Sequence, residues 1–407
     1  MSSAIPTKTE GAAVRRPRPH LYQVDWIRAV TTLAVISVHS VFFTNPPNSI
    51  GAGAIISLLH YTREAFMFMT GLVLFYSYYP QLGSTFHFWA KRFYLIGLPY
   101  VLWSAIYVAV GNPIWKPLAY FKHLGSALLT GSAWYHLYYL LVTMQIYLLL
   151  PVMVWALRKA ARWHGWILLA SALLQLGITA VDQYALPTHG WLGQLFQYRG
   201  MEWFSYQFYI LLGALAAIQL EELNRWVSAH RRLLLGGWLA SVALAWAWYG
   251  WNLWVLHESV IDASAVLQPF MVPYCFFWIL TLYRWGLWWA QAGSQHWLRP
   301  VIYGISRQSF GIYLIHPFIL WLQLQYLLPH LHLARWLITP GVIAVTAVAS
   351  YLIIAAISHT QLNLLLLGQR GAAARKAGSP RPAPRVAVDS ISVATSSAAS
   401  LRTPPRR

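Results

Sequence analysis

The sequence predicts an all-α integral membrane protein of about ten transmembrane helices, with both termini in the cytoplasm. Three observations predict it. Hydrophobic residues make up 58% of the 407 and charged residues only 10%, against about 25% charged in soluble domains. Mean hydropathy is +0.49. A soluble fold of this size cannot hide so much apolar surface, whereas lipid is a solvent for it. The apolar residues gather in runs near the ~20 residues that span a bilayer. Finally, the basic residues fall between those runs in an alternating pattern.

The runs are 24–44, 55–79, 93–111, 135–157, 165–181, 204–220, 232–250, 264–283, 308–328 and 336–358. The fifth and sixth are the shortest. With the N-terminus inside, the cytoplasmic connections carry Lys91 and Arg92, then Arg158, Lys159 and Arg162, then Arg225, Arg231 and Arg232, then Arg284 and Arg299. The external connections carry Lys116, Lys122, Arg199 and Arg335, and two carry none. Basic residues favour the cytoplasmic side, and the alternation requires an even number of spans. The chain divides into a basic N-terminal segment, 1–21, a membrane domain, 22–360, and a tail, 361–407. The first segment is polar, carries Arg15, Arg16 and Arg18, and leads into an apolar run too long for a signal-peptide core. The tail is rich in Ala, Ser, Pro and Arg without apolar periodicity, and reads as mostly disordered.

The net charge is +19, from 29 Lys and Arg against 10 Asp and Glu. It is spread over loops and tail, and no basic stripe is interleaved with a foldable soluble module, so nucleic-acid binding is excluded. The lipid bilayer is the expected partner. One cysteine, Cys275, permits no intrachain disulfide and no zinc site built on paired cysteines. His330 and His332 stand two apart in a loop and make a poor metal signal, so no metal is expected. The 23 Trp and 24 Tyr suit a chain with many membrane–water interfaces.

An ionisable residue inside a span costs about 2.5–3.5 kcal/mol at its centre and so points to function. The first span holds Asp25, Arg28 and His39. Eleven residues at about 100° each bring Arg28 and His39 to within about 20° of one helix face, some ~16 Å apart along the axis. They cannot touch, but they can serve two ends of one long ligand. Arg28 suits a phosphate or carboxylate near the cytoplasmic surface. His39, lying deeper, suits general acid–base work. The alternative is that Arg28 snorkels and pairs with Asp25 while His39 bonds a neighbouring helix. Arg63 and Glu64 open the second span, His136 the fourth and Glu202 the sixth, all towards the external side. His316 lies within the ninth span beside Pro317. That proline frees a backbone carbonyl one turn back, and His316 can fill the gap.

Five stretches in order resemble the acyltransferase 3 family of bacterial membrane acyltransferases, over about residues 22–360. They are Asp25-x-x-Arg28 with His39 after ten intervening residues; Thr62-Arg63-Glu64-Ala65-Phe66-Met67-Phe68-Met69-Thr70-Gly71; Lys91-Arg92 with Leu98-Pro99-Tyr100 and Trp103-Ser104; Tyr135-His136-Leu137-Tyr138-Tyr139 leading to Gln145 and Pro151; and Ser306-x-x-Ser309-Phe310-Gly311-Ile312-Tyr313-Leu314-Ile315-His316-Pro317. Within the family, the group linked to intercellular-adhesion polysaccharide is the most similar. The resemblance implies an O-acyltransferase of the bacterial plasma (inner) membrane. It would move acetyl or succinyl from cytoplasmic acyl-coenzyme A, a co-substrate and not a bound cofactor, to a hydroxyl of a cell-surface or lipid-linked carbohydrate.

The family's first-span Arg and His carry over to Arg28 and His39, which are the expected catalytic residues. Its second basic pair, Arg-x-x-Arg, is represented by Lys91 and Arg92, and the second Arg of the pair is missing. The phosphates of the donor then fall to Arg28, Lys91 and Arg92, and His39 is the expected general base, with an acyl-His intermediate as the alternative route. Asp25 would orient Arg28. Asp25, Arg63, Glu64, His136, Glu202 and His316 are the substrate-binding candidates, with Arg63 and His136 on the acceptor. The competing reading is an exporter of a polysaccharide or lipid-linked sugar. The sequence leaves the oligomeric state open.

Overall fold

The computed structural model describes residues 19–111, 116–291 and 297–369, which are helical, with no strand among them. The tail beyond 369 lies outside these residues. In chain order the helices are α1 (Tyr22–Thr44), α2 (Ile50–Leu59), α3 (Tyr61–Tyr78), α4 (Thr85–Gly111), α5 (Pro117–Thr130), α6 (Tyr138–Lys159), α7 (His164–Tyr184), α8 (Gly190–Gln197), α9 (Gln207–Ile218), α10 (Leu220–Ala229), α11 (Arg231–Trp254), α12 (Val260–Ala263), α13 (Met271–Gln291), α14 (Arg299–Leu322), α15 (Arg335–Ser358) and α16 (Asn363–Leu367).

Every apolar run of the sequence contains a helix. Among the described residues, seven helical stretches are long and apolar enough to cross a membrane by length and composition. They comprise α1, α4, α6, α11, α15, α7 with the short turn before it, and α14 with the irregular turns after it. α9 and α10 make an eighth only if taken together, because they are bent by 99°. The run at 204–220 therefore belongs to a broken element and not to one straight helix. Gln219, at φ −110° and ψ 40°, leaves the helical region. The following α10 carries Glu221 and Glu222 in its first turn and is tied to α13 by the Tyr283 hydroxyl, which donates to Asn224 Oδ1 at 2.7 Å.

α3 and α13 are absent from the seven. α3 carries Arg63 and Glu64, and α13 carries Arg284 among tryptophans and tyrosines. Both are packed mainly against other helices, where lipid solubility is not required of each residue. The run at 55–79 is also split: α2 ends at Leu59, His60 makes the turn and α3 starts at Tyr61. His60 and Thr62, at this break, line a cavity beside α1.

α1 is the hub, packed against α14, α13, α15, α2 and α3. Its most apolar window is 56% buried, against 22% for those of α7 and α15, whose outward faces are left for lipid. α3 and α9 make the closest pair. A Cβ on Gly71 would lie 2.1 Å from the Ile210 carbonyl oxygen, and one on Gly213 2.0 Å from that of Phe68. Only glycine permits backbones so near. α16 docks on α4, where Trp103 Nε1 donates to the Leu366 carbonyl at 3.0 Å, so the chain stays packed through residue 367.

Candidate active site

A cavity of about 140 Å³ lies beside the middle of α1, lined by His39, His60, Thr62, Arg63, Phe66, Tyr135, His136, Tyr138, Tyr139 and Tyr313, among others. Five segments supply these side chains: α1, the α2–α3 turn with α3, the turn before α6, α6 itself, and α14. His39 is partly exposed in it. Its ring lies 4.6 Å from that of Tyr135 and 5.5 Å from that of His316, centroid to centroid.

The turn carrying His136 is built with care for its backbone. Gly131 caps α5 at φ 70°, and a Cβ there would be 2.7 Å from the Tyr138 Cα. Leu137 N–H donates to the Trp134 carbonyl at 3.1 Å. The Tyr313 hydroxyl donates to the His136 carbonyl. His136 is 2% exposed, its ring set among those of Tyr107, Tyr135, Tyr313 and His316 and close to the Leu314 backbone.

Arg63 reaches the cavity from α3. Its Nε and Nη2 donate to Glu64 Oε1 at 3.1 and 3.0 Å, and its guanidinium lies 4.7 Å above the Tyr206 ring. Glu64 is 3% exposed and its Oε2 has no partner. Glu64 thus supports Arg63 and does not line the cavity. Glu202 does not line it either. It precedes the short 3-10 turn Trp203–Tyr206, in a segment pinned to α6 by Gln145, which donates to the Met201 carbonyl at 2.8 Å and accepts from Trp203 N–H at 3.0 Å.

Towards the other end of α1, Arg28 is half-buried, in the electrostatic field of Asp25, Tyr139 and Tyr147. The alternative reading, in which Arg28 pairs with Asp25, is not met: no ion pair joins them among the described residues. Ser306 Oγ donates to Asp25 Oδ1 at 2.7 Å and His20 Nε2 to Oδ2 at 2.5 Å, so the carboxylate joins α1 to α14 and to the chain before α1. It acts on Arg28 only at a distance. Arg92 turns inward, donating to the Tyr78 hydroxyl at 3.0 Å and lying over the rings of Tyr78, Phe88 and Tyr147. Lys91 is exposed on the outer side of the same helix.

Tyr147 feels both Arg28 and Arg92, and Tyr139 both lines the His39 cavity and acts on Arg28. Tyr139 and Tyr147 thus stand on α6 between the surroundings of the two guanidiniums and the His39 cavity. Among the described residues, no group of three His, Cys, Asp or Glu is placed to hold a metal ion. Cys275 is buried in the core on α13.

His60, Thr62, Phe66, Tyr135, Tyr138, Tyr139 and Tyr313 entered the site only with the structure. All but His60 stand in the stretches that carry the family resemblance, which was the available signal. His60 had none, because the helix break that turns it inward leaves no mark in hydropathy.

The family model described as "Acyltransferase domain" matches residues 21–355. The chain belongs to the acyltransferase 3 family. This membership covers all of the elements that build the cavity and makes the protein a membrane acyltransferase. Searches of the curated proteins and of the solved structures return no match.

Proposed function

We propose that this family member transfers an acyl group, acetyl or succinyl, from cytoplasmic acyl-coenzyme A to a hydroxyl of a cell-surface or lipid-linked carbohydrate, with His39 as general base, in the plasma membrane of a bacterium. Ten crossing elements, with α3, α13 and the bent α9–α10 pair added to the seven, and both termini inside, complete the reading. One observation carries it: α1 bears a guanidinium and an imidazole on one face, ~16 Å apart, with the imidazole on a cavity lined by His136, Arg63 and tyrosines. That arrangement matches a donor with phosphates at one end of a flexible arm and a thioester at the other.

In this reading Arg28 and Arg92 hold the phosphates, with Lys91 at the entrance. The arm follows α1 to the cavity. His39 takes the proton of the acceptor hydroxyl as its oxygen attacks the thioester carbonyl. The carbon–sulfur bond breaks, and the proton passes from His39 to the departing sulfur, leaving coenzyme A as the thiol. His136, which lines the same cavity, donates to the carbonyl oxygen on which charge develops. Arg63 and the surrounding tyrosines meet the sugar, whose hydroxyls and flat apolar faces suit such a lining.

The test is donor turnover. Purified protein in nanodiscs receives acetyl- or succinyl-coenzyme A, with and without glucosamine oligomers, and free thiol is followed. Thiol release that disappears in His39→Ala supports the reading. Folded wild-type protein that releases none, with a glycan that no longer reaches the cell surface when the gene is deleted, supports export instead.

A further inference from the structure

His316 is wholly buried, in van der Waals distance of the site but outside the lining of its cavity, and the transfer just described does not use it. Pro317 has no N–H, so the Tyr313 carbonyl four residues back loses its intrahelical donor. His316 Nδ1 supplies one, donating to Tyr313 O at 2.8 Å and reaching Ile312 O at 3.2 Å. The packing role expected from the sequence is therefore present, and it has a consequence for the rest of the ring. A nitrogen that donates to a carbonyl carries the hydrogen, so in the neutral imidazole Nε2 holds the lone pair. That Nε2 is buried and has no partner. A gap-filling histidine would gain nothing from a bare acceptor in the core.

The rings nearest to it are those of the site. His39 lies 5.5 Å away with its plane 25° from parallel, and His136 5.6 Å away and steeply inclined. The His39 and His316 rings are therefore neighbours without a hydrogen bond between them, and a turn of the His39 ring is what brings one of its nitrogens to Nε2. We propose that His316 is a positioning residue behind His39: a second proton acceptor whose tautomer is fixed by the carbonyl that Pro317 leaves free. The proposal rests on His39 being the base.

The step balances as follows. The acceptor O–H bond breaks and its proton goes to one nitrogen of His39. The hydrogen on the other His39 nitrogen passes to His316 Nε2. His316 becomes an imidazolium whose charge faces the Tyr313 and Ile312 carbonyls. When the carbon–sulfur bond breaks, the proton returns through His39 to sulfur, and both rings are neutral again. The freed carbonyl takes the place that a carboxylate holds behind the histidine of a serine hydrolase. His39 stays neutral through the transfer, and the charge falls on His316, whose Nδ1–H points at the Tyr313 and Ile312 carbonyls.

His316→Gln separates this from a structural role, because an amide can donate to the carbonyl and accept from His39 but cannot take a proton. Kinetics of acyl-coenzyme A turnover should show kcat down by about 10- to 100-fold, KM changed less than about twofold and the unfolding midpoint kept. A kcat retained in His316→Gln, or lost only together with the midpoint, overturns the relay. The second arm is nitrogen-15 NMR of histidine-labelled wild type, with the His316 signals identified by their loss in the variant. An Nδ1–H, Nε2-bare ring is expected, and an Nε2–H ring overturns the proposal. Wild type silent with every donor would sink the transfer reading and the relay together, whereas turnover that survives His316→Gln removes the relay alone.

Discussion

Replacing Arg28 with Ala isolates one end of the proposed donor from the other. Arg28 and His39 share a helix, and ~16 Å of axis separates them, so the guanidinium cannot touch the reacting carbonyl when the thioester is beside His39. Its loss should weaken donor binding and leave the chemical step alone. A hydrogen bond to a charged group contributes about 1.5–3 kcal/mol, and each 1.36 kcal/mol is about tenfold. KM for acyl-coenzyme A should therefore rise by about 10- to 150-fold, with kcat within about twofold of wild type. Arg92 remains beside Tyr147 to hold the phosphates in part. The sharper assay repeats the measurement with an acyl-pantetheine thioester, which has the arm and no phosphates. There Arg28→Ala should change KM by less than about twofold. An equal loss on both donors, or a loss confined to kcat, would refute the division of labour along α1.

Other expectations follow from single contacts. His39→Ala should lower kcat by about 10²–10⁴ with the circular dichroism spectrum unchanged, and a variant within twofold of wild type would remove His39 as base. Gly71→Ala drives a Cβ towards backbone at 2.1 Å, which no rotamer change relieves. It should cost about 1–3 kcal/mol, read as a lower unfolding midpoint in detergent, and an unchanged midpoint would contradict the α3–α9 crossing. Arg63→Ala leaves the buried Glu64 carboxylate without its two donors and should cost about 3–5 kcal/mol. Adding Glu64→Gln should recover part of that loss, and a double variant no more stable than Arg63→Ala would deny the pairing.

Much of the helical layout is legible in the chain because lipid imposes it locally. A run of ~20 apolar residues has no way to satisfy its backbone in a bilayer except as a helix, so the ten runs foretell helices. The face shared by Arg28 and His39 follows from helical periodicity alone. Where the expectation slipped, the deciding fact was not local. Hydropathy averages over a window cannot register the turn at His60 or the break at Gln219, since both flanks are apolar or amphipathic whichever way the chain bends. Asp25 and Arg28, one turn apart, look like a pair, yet Ser306 and His20 claim the carboxylate, and Ser306 is 281 residues distant.

The sequence by itself determined that this is a helical membrane protein, that α1 carries an unusual guanidinium and imidazole, and that its motifs in order resemble a family of acyltransferases. It also foretold that His316 would fill the carbonyl gap made by Pro317, because that bond lies within a single helical turn. Tertiary structure alone decided that His39, His136 and His316 form one cluster, that Glu64 braces Arg63 outside the cavity, and that Glu202 stays apart. Helix periodicity fixes which residues share a face, over a few turns. Which faces meet depends on the packing of α1 against five neighbours, a global balance of shape and buried polar groups that no local pattern encodes.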